Sequence, residues 1–321
     1  MRVQKEINVY ALCYKHIMVT KITIGTRRSK LALVQTDMIR TALLQAHPGL
    51  EVAVEHITTK GDIILDRPLS AIGDKGLFVT EIEDAIRAGR VDLAVHSAKD
   101  LPSVLPPDMA LVAFPPREDA RDALVSKSGA RLAELPAGAT VGTSSLRRAC
   151  QLRHARPDLR IVDLRGNVDT RLRKLREEPY DAVVLAAAGL HRLGLNNEIS
   201  EYLDPSVMLP AVSQGILGIE ARAGNAEVAA LLAPLDDAAA RTAALAERGF
   251  LAYLGGGCQV PVAAYACLDG DMLQLDGMIG SRDGRLVRGG VRGSPANPAS
   301  LGAQLAARLL DEGGRELLEA A

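Results

Sequence analysis

Val91-Asp92-Leu93-Ala94-Val95-His96-Ser97-Ala98-Lys99-Asp100-Leu101-Pro102 decides how the rest of the chain is read. Its first half alternates apolar and polar residues and then runs apolar, the pattern of a buried strand. The run stops in His-Ser-Ala-Lys-Asp. Pro102, which has no N–H for a sheet ladder, closes it. In open α/β sheets ligands bind outside the carboxyl ends of strands, so Lys99 and Asp100 stand where a charged site would be. The same two residues also read as an ordinary ion pair on a solvated loop.

Working outward, the same strand–turn–helix unit recurs on both sides. Lys21 to Gly25 reads as a strand, with Thr26-Arg27-Arg28-Ser29 leading into a helix that Ser29 caps. Such a turn points backbone N–H groups and a partial positive charge at one spot. The two arginines there fit an anion site or a plain helix start with surface cations. Glu51 to Ile57 alternates as a second strand. Thr58 to Gly76 has no period, contains Lys60 and Lys75, and is expected to be a lid or binding loop. Phe78 to Ala88 follows as a helix, then the opening strand, then a strand from Met109 to Phe114 and a linker at Pro115 to Asp119.

A second α/β region starts with the strand Asp122 to Ser126. Thr140-Val141-Gly142 and Asp181 to Leu185 are further strands, with another near Leu159 to Leu164. Helices open at Thr143-Ser144-Ser145 and at Arg165 to Arg171, and a short one runs through Leu190. Repeated turns of this kind predict a mostly parallel, doubly wound sheet. Leu209 to Gly215 is a second linker, and Ile216 to Glu220 is a strand that returns to the first region. A long helix over Asp237 to Leu254, three strands (Pro261 to Leu268, Met272 to Ile279, Arg285 to Val291) and a closing helix from Pro298 to about Leu310 predict a smaller α+β module.

Between Arg147 and Arg176 ten basic residues face three acidic ones, a net charge of +7. They gather at two helix starts rather than along one face. Arg matches carboxylates through its planar fork, so a cleft for a polyanion is expected, with a nucleic-acid patch as the other reading. Aromatics are only 3% of the chain, Trp is absent and the net charge is −1. That argues against base-stacking surfaces and favours small carboxylated ligands.

Four scattered cysteines (Cys13, Cys150, Cys258, Cys267) with no C-x-x-C pair suit reduced, cytoplasmic thiols. Cys258 follows three glycines in a loop, where it is either an ordinary thiol or a nucleophile activated by nearby cations. Cys150 and Cys267 are expected to be buried and inert. The six histidines show no metal-ligand spacing, and no metal site is expected. No apolar run reaches membrane length. Residues 1–19 read as an extension or disordered tail that lacks signal-peptide character.

Several of these pieces, in this order, resemble one family, porphobilinogen deaminase (hydroxymethylbilane synthase). They are Gly25-Thr26-Arg27-Arg28-Ser29, Lys60-Gly61-Asp62, Gly73 to Phe78, Val95 to Asp100, Gly142 to Arg148, Leu164 to Arg171 and Gly256 to Pro261. The resemblance runs from about Ile22 to the C-terminus. It implies an α/β fold of two type II periplasmic-binding-protein-like, doubly wound domains plus a smaller α+β C-terminal domain. The expected limits are 20–115 with 216–236, then 116–215, then 237–321.

The implied activity is condensation of four porphobilinogen units into hydroxymethylbilane with loss of ammonia, feeding tetrapyrrole biosynthesis. A dipyrromethane cofactor in thioether linkage to Cys258 is implied as the primer. Lys99, Arg147, Arg148, Ser145, Thr143, Ser144 and Arg165 would hold it. Arg27, Ser29, Arg171, Arg192 and Lys75, the last in the lid, would bind substrate, and Asp100 would face the pyrrole nitrogens as the catalytic carboxylate. A cytoplasmic monomer without nucleic-acid or membrane partners is the accompanying expectation. Lys30 stands where a Pro or neutral residue is expected, Ser213 where Gly is usual, and Ala98 where many relatives have Met. None of these removes a charged or nucleophilic group. The competing reading is a two-lobed binding protein without catalysis, which would have no use for Cys258.

Overall fold

The structure is a computed structural model that describes residues 19–63, 79–256 and 260–319. Lys75 and Cys258 therefore lie outside the described residues, as does most of residues 1–19.

The first sheet has five strands: β1 (Lys21–Thr26), β2 (Glu51–His56), β3 (Leu93–Ser97), β4 (Met109–Ala113) and β10 (Leu217–Arg222), in the order β2-β1-β3-β10-β4. Its helices are α1 (Lys30–Ala46), α2 (Thr80–Arg87) and α6 (Ala226–Leu232). Ser29 caps α1 as expected, its hydroxyl accepting from the Ala32 amide. On β3, Leu93 and Val95 pack beneath α1 and α6, while Ala94 packs with Ile82, Ala85 and Ile86 of α2. Period-2 alternation thus builds one core on each face of the sheet.

The second sheet repeats the plan. It contains β5 (Asp122–Ser126), β6 (Thr140–Gly142), β7 (Arg160–Val162), β8 (Ala182–Ala186) and β9 (Glu201–Leu203), in the order β7-β6-β8-β5-β9. Three helices cover it: α3 (Leu146–Ala155), α4 (Val168–Glu177) and α5 (Ala187–Arg192). Leu124, Val141 and Val184 pack with Leu152 on one face, and Ala123, Val125 and Val183 with Leu172 and Leu190 on the other.

The expected doubly wound architecture is present, but the sheets are mixed rather than mostly parallel. β1 is parallel to β2 and β3, while β10 is antiparallel to β3 and β4. In the same way β6 is parallel to β7 and β8, and β5 is antiparallel to β8 and β9. In each sheet the inverted strand is the one that follows a crossing from the other sheet. Residues 114–121 lead from β4 to β5, and residues 204–216 lead from β9 to β10.

The third unit is an antiparallel meander of β11 (Val262–Asp269), β12 (Met272–Gly280) and β13 (Leu286–Gly293) under two longer helices, α7 (Ala238–Tyr253) and α8 (Pro298–Leu309), and a short last one, Arg315–Glu319. Phe250, Leu273, Leu275, Leu305 and Leu309 form its core. The helices touch backbone to backbone: a Cβ on Gly302 would sit 2.1 Å from the Ala246 carbonyl oxygen. The same core takes in Ala98, Phe114, Val212 and Ile216, so the end of β3 and both crossings rest on this unit.

Candidate functional site

At the carboxyl end of β3 the chain turns through a short 3-10 helix, Ala98–Asp100. Ala98 is buried against the third unit, and its amide donates to the Ile216 carbonyl at 3.0 Å. That anchor fixes Lys99 and Asp100 at the carboxyl end of the first sheet, beside the second crossing. Asp100 is exposed and makes no hydrogen bond or ion pair among the described residues. It lines a pocket with Arg27, Ser29, Gln35, His96 and Ser97. Lys99 does not pair with Asp100; its ammonium donates to Gln214 Oε1 at 3.4 Å. Burial pulls the Lys99 ammonium down to about 8, against the field of Asp100.

Gln214, on the second crossing, connects the two halves. Its amide nitrogen donates to the Ala120 carbonyl at 2.7 Å and to Asp122 Oδ1 at 3.1 Å. Asp122 opens β5, is wholly buried, and receives both arginines of the α3 start. Arg147 Nη1 reaches Oδ2 at 2.6 Å, and Arg148 Nη2 reaches Oδ1 at 2.7 Å. Burial opposes the Asp122 charge, yet the two guanidiniums hold its carboxyl far below the usual range. Arg147 also donates to the Leu209 carbonyl and Arg148 to that of Val184. Sequence reasoning treats these arginines as open carboxylate binders, but both are built into the protein through Asp122. One carboxylate between two guanidiniums leaves a net positive charge on this buried cluster.

The remaining predicted residues collect on the same side. Ser145 caps α3 by accepting from the Arg148 amide, Thr143 Oγ1 accepts from the Ser145 amide, and the Ser144 hydroxyl donates to the Leu164 carbonyl. Arg171 Nε donates to the Gly166 carbonyl at 2.7 Å. Burial, then the field of Arg148, lowers its guanidinium to about 10, and Asp100 works in the opposite direction. Arg165 Nη1 and Arg192 Nε are buried without a hydrogen-bond partner among the described residues. Arg192 stands apart from the helix starts, its Nη2 donating to the Gly215 carbonyl on the crossing.

Several participants escape a sequence reading. Glu247 on α7 is fully buried and accepts from Arg117 of the first crossing at 2.6 Å, from the Ser213 amide of the second, and from the Ala266 amide of β11. Burial pushes its carboxyl up despite Arg117. Ser213 is the one non-glycine residue among those described with positive φ, at 59°, and its buried hydroxyl has no partner. Asp122 and Glu220 share the only signal that could have exposed them, an acid at the end of or inside an otherwise apolar strand. Of the other cysteines, Cys150 is buried as expected, its thiol pushed up by burial to about 11. Cys267 is only half-buried, because the strand carrying it turns that side toward solvent.

Residues 22–230 match the domain described as porphobilinogen deaminase, dipyromethane cofactor binding domain, and residues 241–311 match porphobilinogen deaminase, C-terminal domain. The porphobilinogen deaminase of Roseiflexus sp. (strain RS-1) is 72% identical over 297 residues, spanning 92% of this chain and 98% of that protein. That of Roseiflexus castenholzii is 70% identical, over 94% of this chain and 99% of the relative. That of Syntrophobacter fumaroxidans is 52% identical, over 93% and 97%.

Proposed function

This chain belongs to the porphobilinogen deaminase family, and we propose that Asp100 and the cations around it are the centre at which it works. It is a transferase that condenses four porphobilinogen units into hydroxymethylbilane with release of ammonia, with a dipyrromethane as cofactor. One observation carries the placement of the centre. Asp100, without a hydrogen-bond or ion-pair partner among the described residues, lines a pocket with Arg27, Ser29, Gln35, His96 and Ser97.

The residues present fit a group bearing several carboxylates. Buried guanidinium nitrogens on Arg165 and Arg192 lack hydrogen-bond partners among the described residues, and a net positive charge surrounds Asp122. Lys99, Arg147, Arg148, Thr143, Ser144, Ser145 and Arg165 would hold the dipyrromethane, with Cys258 as its covalent attachment. When bound, it supplies the pyrrole end to which new units are joined. Arg27, Ser29, Arg171, Arg192 and Lys75 would orient the acetate and propionate groups of each incoming substrate. Asp100 would accept from the pyrrole N–H. Its fixed negative charge then stabilises the positive charge that develops as ammonia leaves. The domain limits given above, a cytoplasmic location, a monomeric state and the lack of nucleic-acid or membrane partners complete the proposal. Among the described residues no helix is long and apolar enough to cross a membrane.

Intact mass tests the attachment. Purified protein is expected to exceed its sequence mass by two linked pyrrole units, and Cys258→Ala to lose the excess. Active protein at its bare sequence mass would sink the proposal.

A further inference from the structure

β3 and β10 run antiparallel, with His96 opposite Gly218 and Ala94 opposite Glu220. Leu93, Val95, Ile219 and Ala221 fill the core on one face. His96 and Glu220 therefore share the other face, beneath α2. His96 Nε2 lies 3.0 Å from Glu220 Oε2, and the two side chains are 7% and 0% exposed. His96 also lines the pocket that contains Asp100. Its Nδ1 makes no hydrogen bond among the described residues.

The surroundings leave Glu220 dependent on this histidine. The charged groups nearby are Glu83 and Arg87 on α2 and Arg248 on α7. Arg87 is taken up by Asp108, Asp84 and Glu83. Arg248 donates to the carbonyls of Pro102 and Ser103. Glu83 is buried, its carboxyl pushed up by burial and by Glu220. Glu220 Oε1 has no partner, so His96 is the sole hydrogen-bond partner of a wholly buried carboxylate among the described residues. A carboxylate so placed fixes the ring and accepts from Nε2–H, which leaves Nδ1 as the ring's free lone pair.

We propose that His96, oriented by Glu220, is a further proton-handling residue of this reaction, taking up at Nδ1 the proton that each addition releases. The proposal rests on the placing of Asp100 at the reacting centre. Joining two pyrrole units forms a carbon–carbon bond at an α-carbon and breaks that carbon's C–H bond, whose electron pair restores the aromatic ring. The proton passes to Nδ1. The ammonia lost from the aminomethyl group then takes it up as ammonium, and Nδ1 is bare again for the next unit.

The test uses holoenzyme whose loading has been verified by mass. His96→Gln keeps a hydrogen bond to Glu220 but cannot take up a proton, and kcat is expected to fall about 10²-fold with KM little changed. Porphobilinogen deuterated at its free α-carbon should then show a primary isotope effect that the parent lacks, which a packing defect would not create. An unaltered kcat, or a slower reaction without the isotope effect, overturns the proposal. Nitrogen-15 NMR of the parent protein gives a second reading that needs no variant to fold. In its neutral form the His96 ring should carry its proton on Nε2; the reverse tautomer overturns the assignment. An active Asp100→Asn beside an isotope effect in His96→Gln would fault the reading of Asp100 instead.

Discussion

Ser213→Gly should make this protein more stable. Ser213 sits on the second crossing with φ 59°, its amide donating to Glu247 and its buried hydroxyl without a partner among the described residues. An L residue in the left-handed region costs about 1–2 kcal/mol relative to glycine. A buried hydroxyl without a hydrogen bond costs about 1–3 kcal/mol. Glycine gives back about 0.5–1 kcal/mol through the greater freedom of the unfolded chain. The net gain is about 2 kcal/mol, provided the amide bond to Glu247 survives, and glycine has the amide. Urea unfolding followed by far-UV circular dichroism reads the change as a higher midpoint at unchanged slope. Ser213→Ala separates the two contributions, because it removes the hydroxyl and keeps the backbone strain. It should recover only part of the gain. A Ser213→Gly protein no more stable than its parent would refute the reasoning, since both costs are assigned to this one side chain.

Arg148→Leu leaves Asp122 wholly buried with one cation instead of two, and should cost about 3 kcal/mol in the same urea assay. Lys99, held at about 8, keeps its charge below that pH and loses it above, so its hold on the cofactor carboxylates should weaken and kcat fall as pH passes 8. Lys99→Arg should flatten that fall. Between pH 8 and the ordinary lysine range the unfolded chain binds the extra proton, so this residue's contribution to stability grows with pH, and a falling one would count against the shift. Asp100→Asn should nearly abolish turnover while leaving the unfolding midpoint in place, as expected of an exposed carboxylate with no partner to lose. Gly215→Ala should destabilise by at least about 1–3 kcal/mol, because φ is 87° there and the new Cβ would lie 2.3 Å from the Glu118 carbonyl oxygen.

The strands and helices that carry the fold are legible because each has one period and one cap. Ser29, Ser145 and Asp237 mark helix starts, and the alternation on β3 marks both faces of its sheet. β9 has three residues and α6 seven, too few for a period to show. The inversion of β5 and β10 is invisible locally, since a strand carries the same pattern in either direction. The site divides in the same way. Asp100, Lys99 and the helix-start arginines can be named from local turns and charge. Asp122, Gln214, Glu220 and Glu247 act across 25 to 130 residues of sequence. Only the folded chain says which cation each acid meets, and so the arginines looked freer than they are.

β10 is inserted between β3 and β4, which do not pair with each other. A ribosome delivers β3 early, then all of the second sheet, and only afterwards the strand that bridges β3 to β4. Throughout that interval the nascent chain presents Leu93 to Ser97 as an open edge, with unpaired N–H and C=O groups next to apolar residues. The second sheet has no such wait, because β5 to β9 emerge in one piece. Synthesis from the N-terminus therefore completes the middle of this protein before its beginning. The first sheet must be held as a partial, association-prone structure until residue 222 clears the exit tunnel. A chain truncated anywhere before β10 would carry Asp100 and its pocket on a sheet that cannot close.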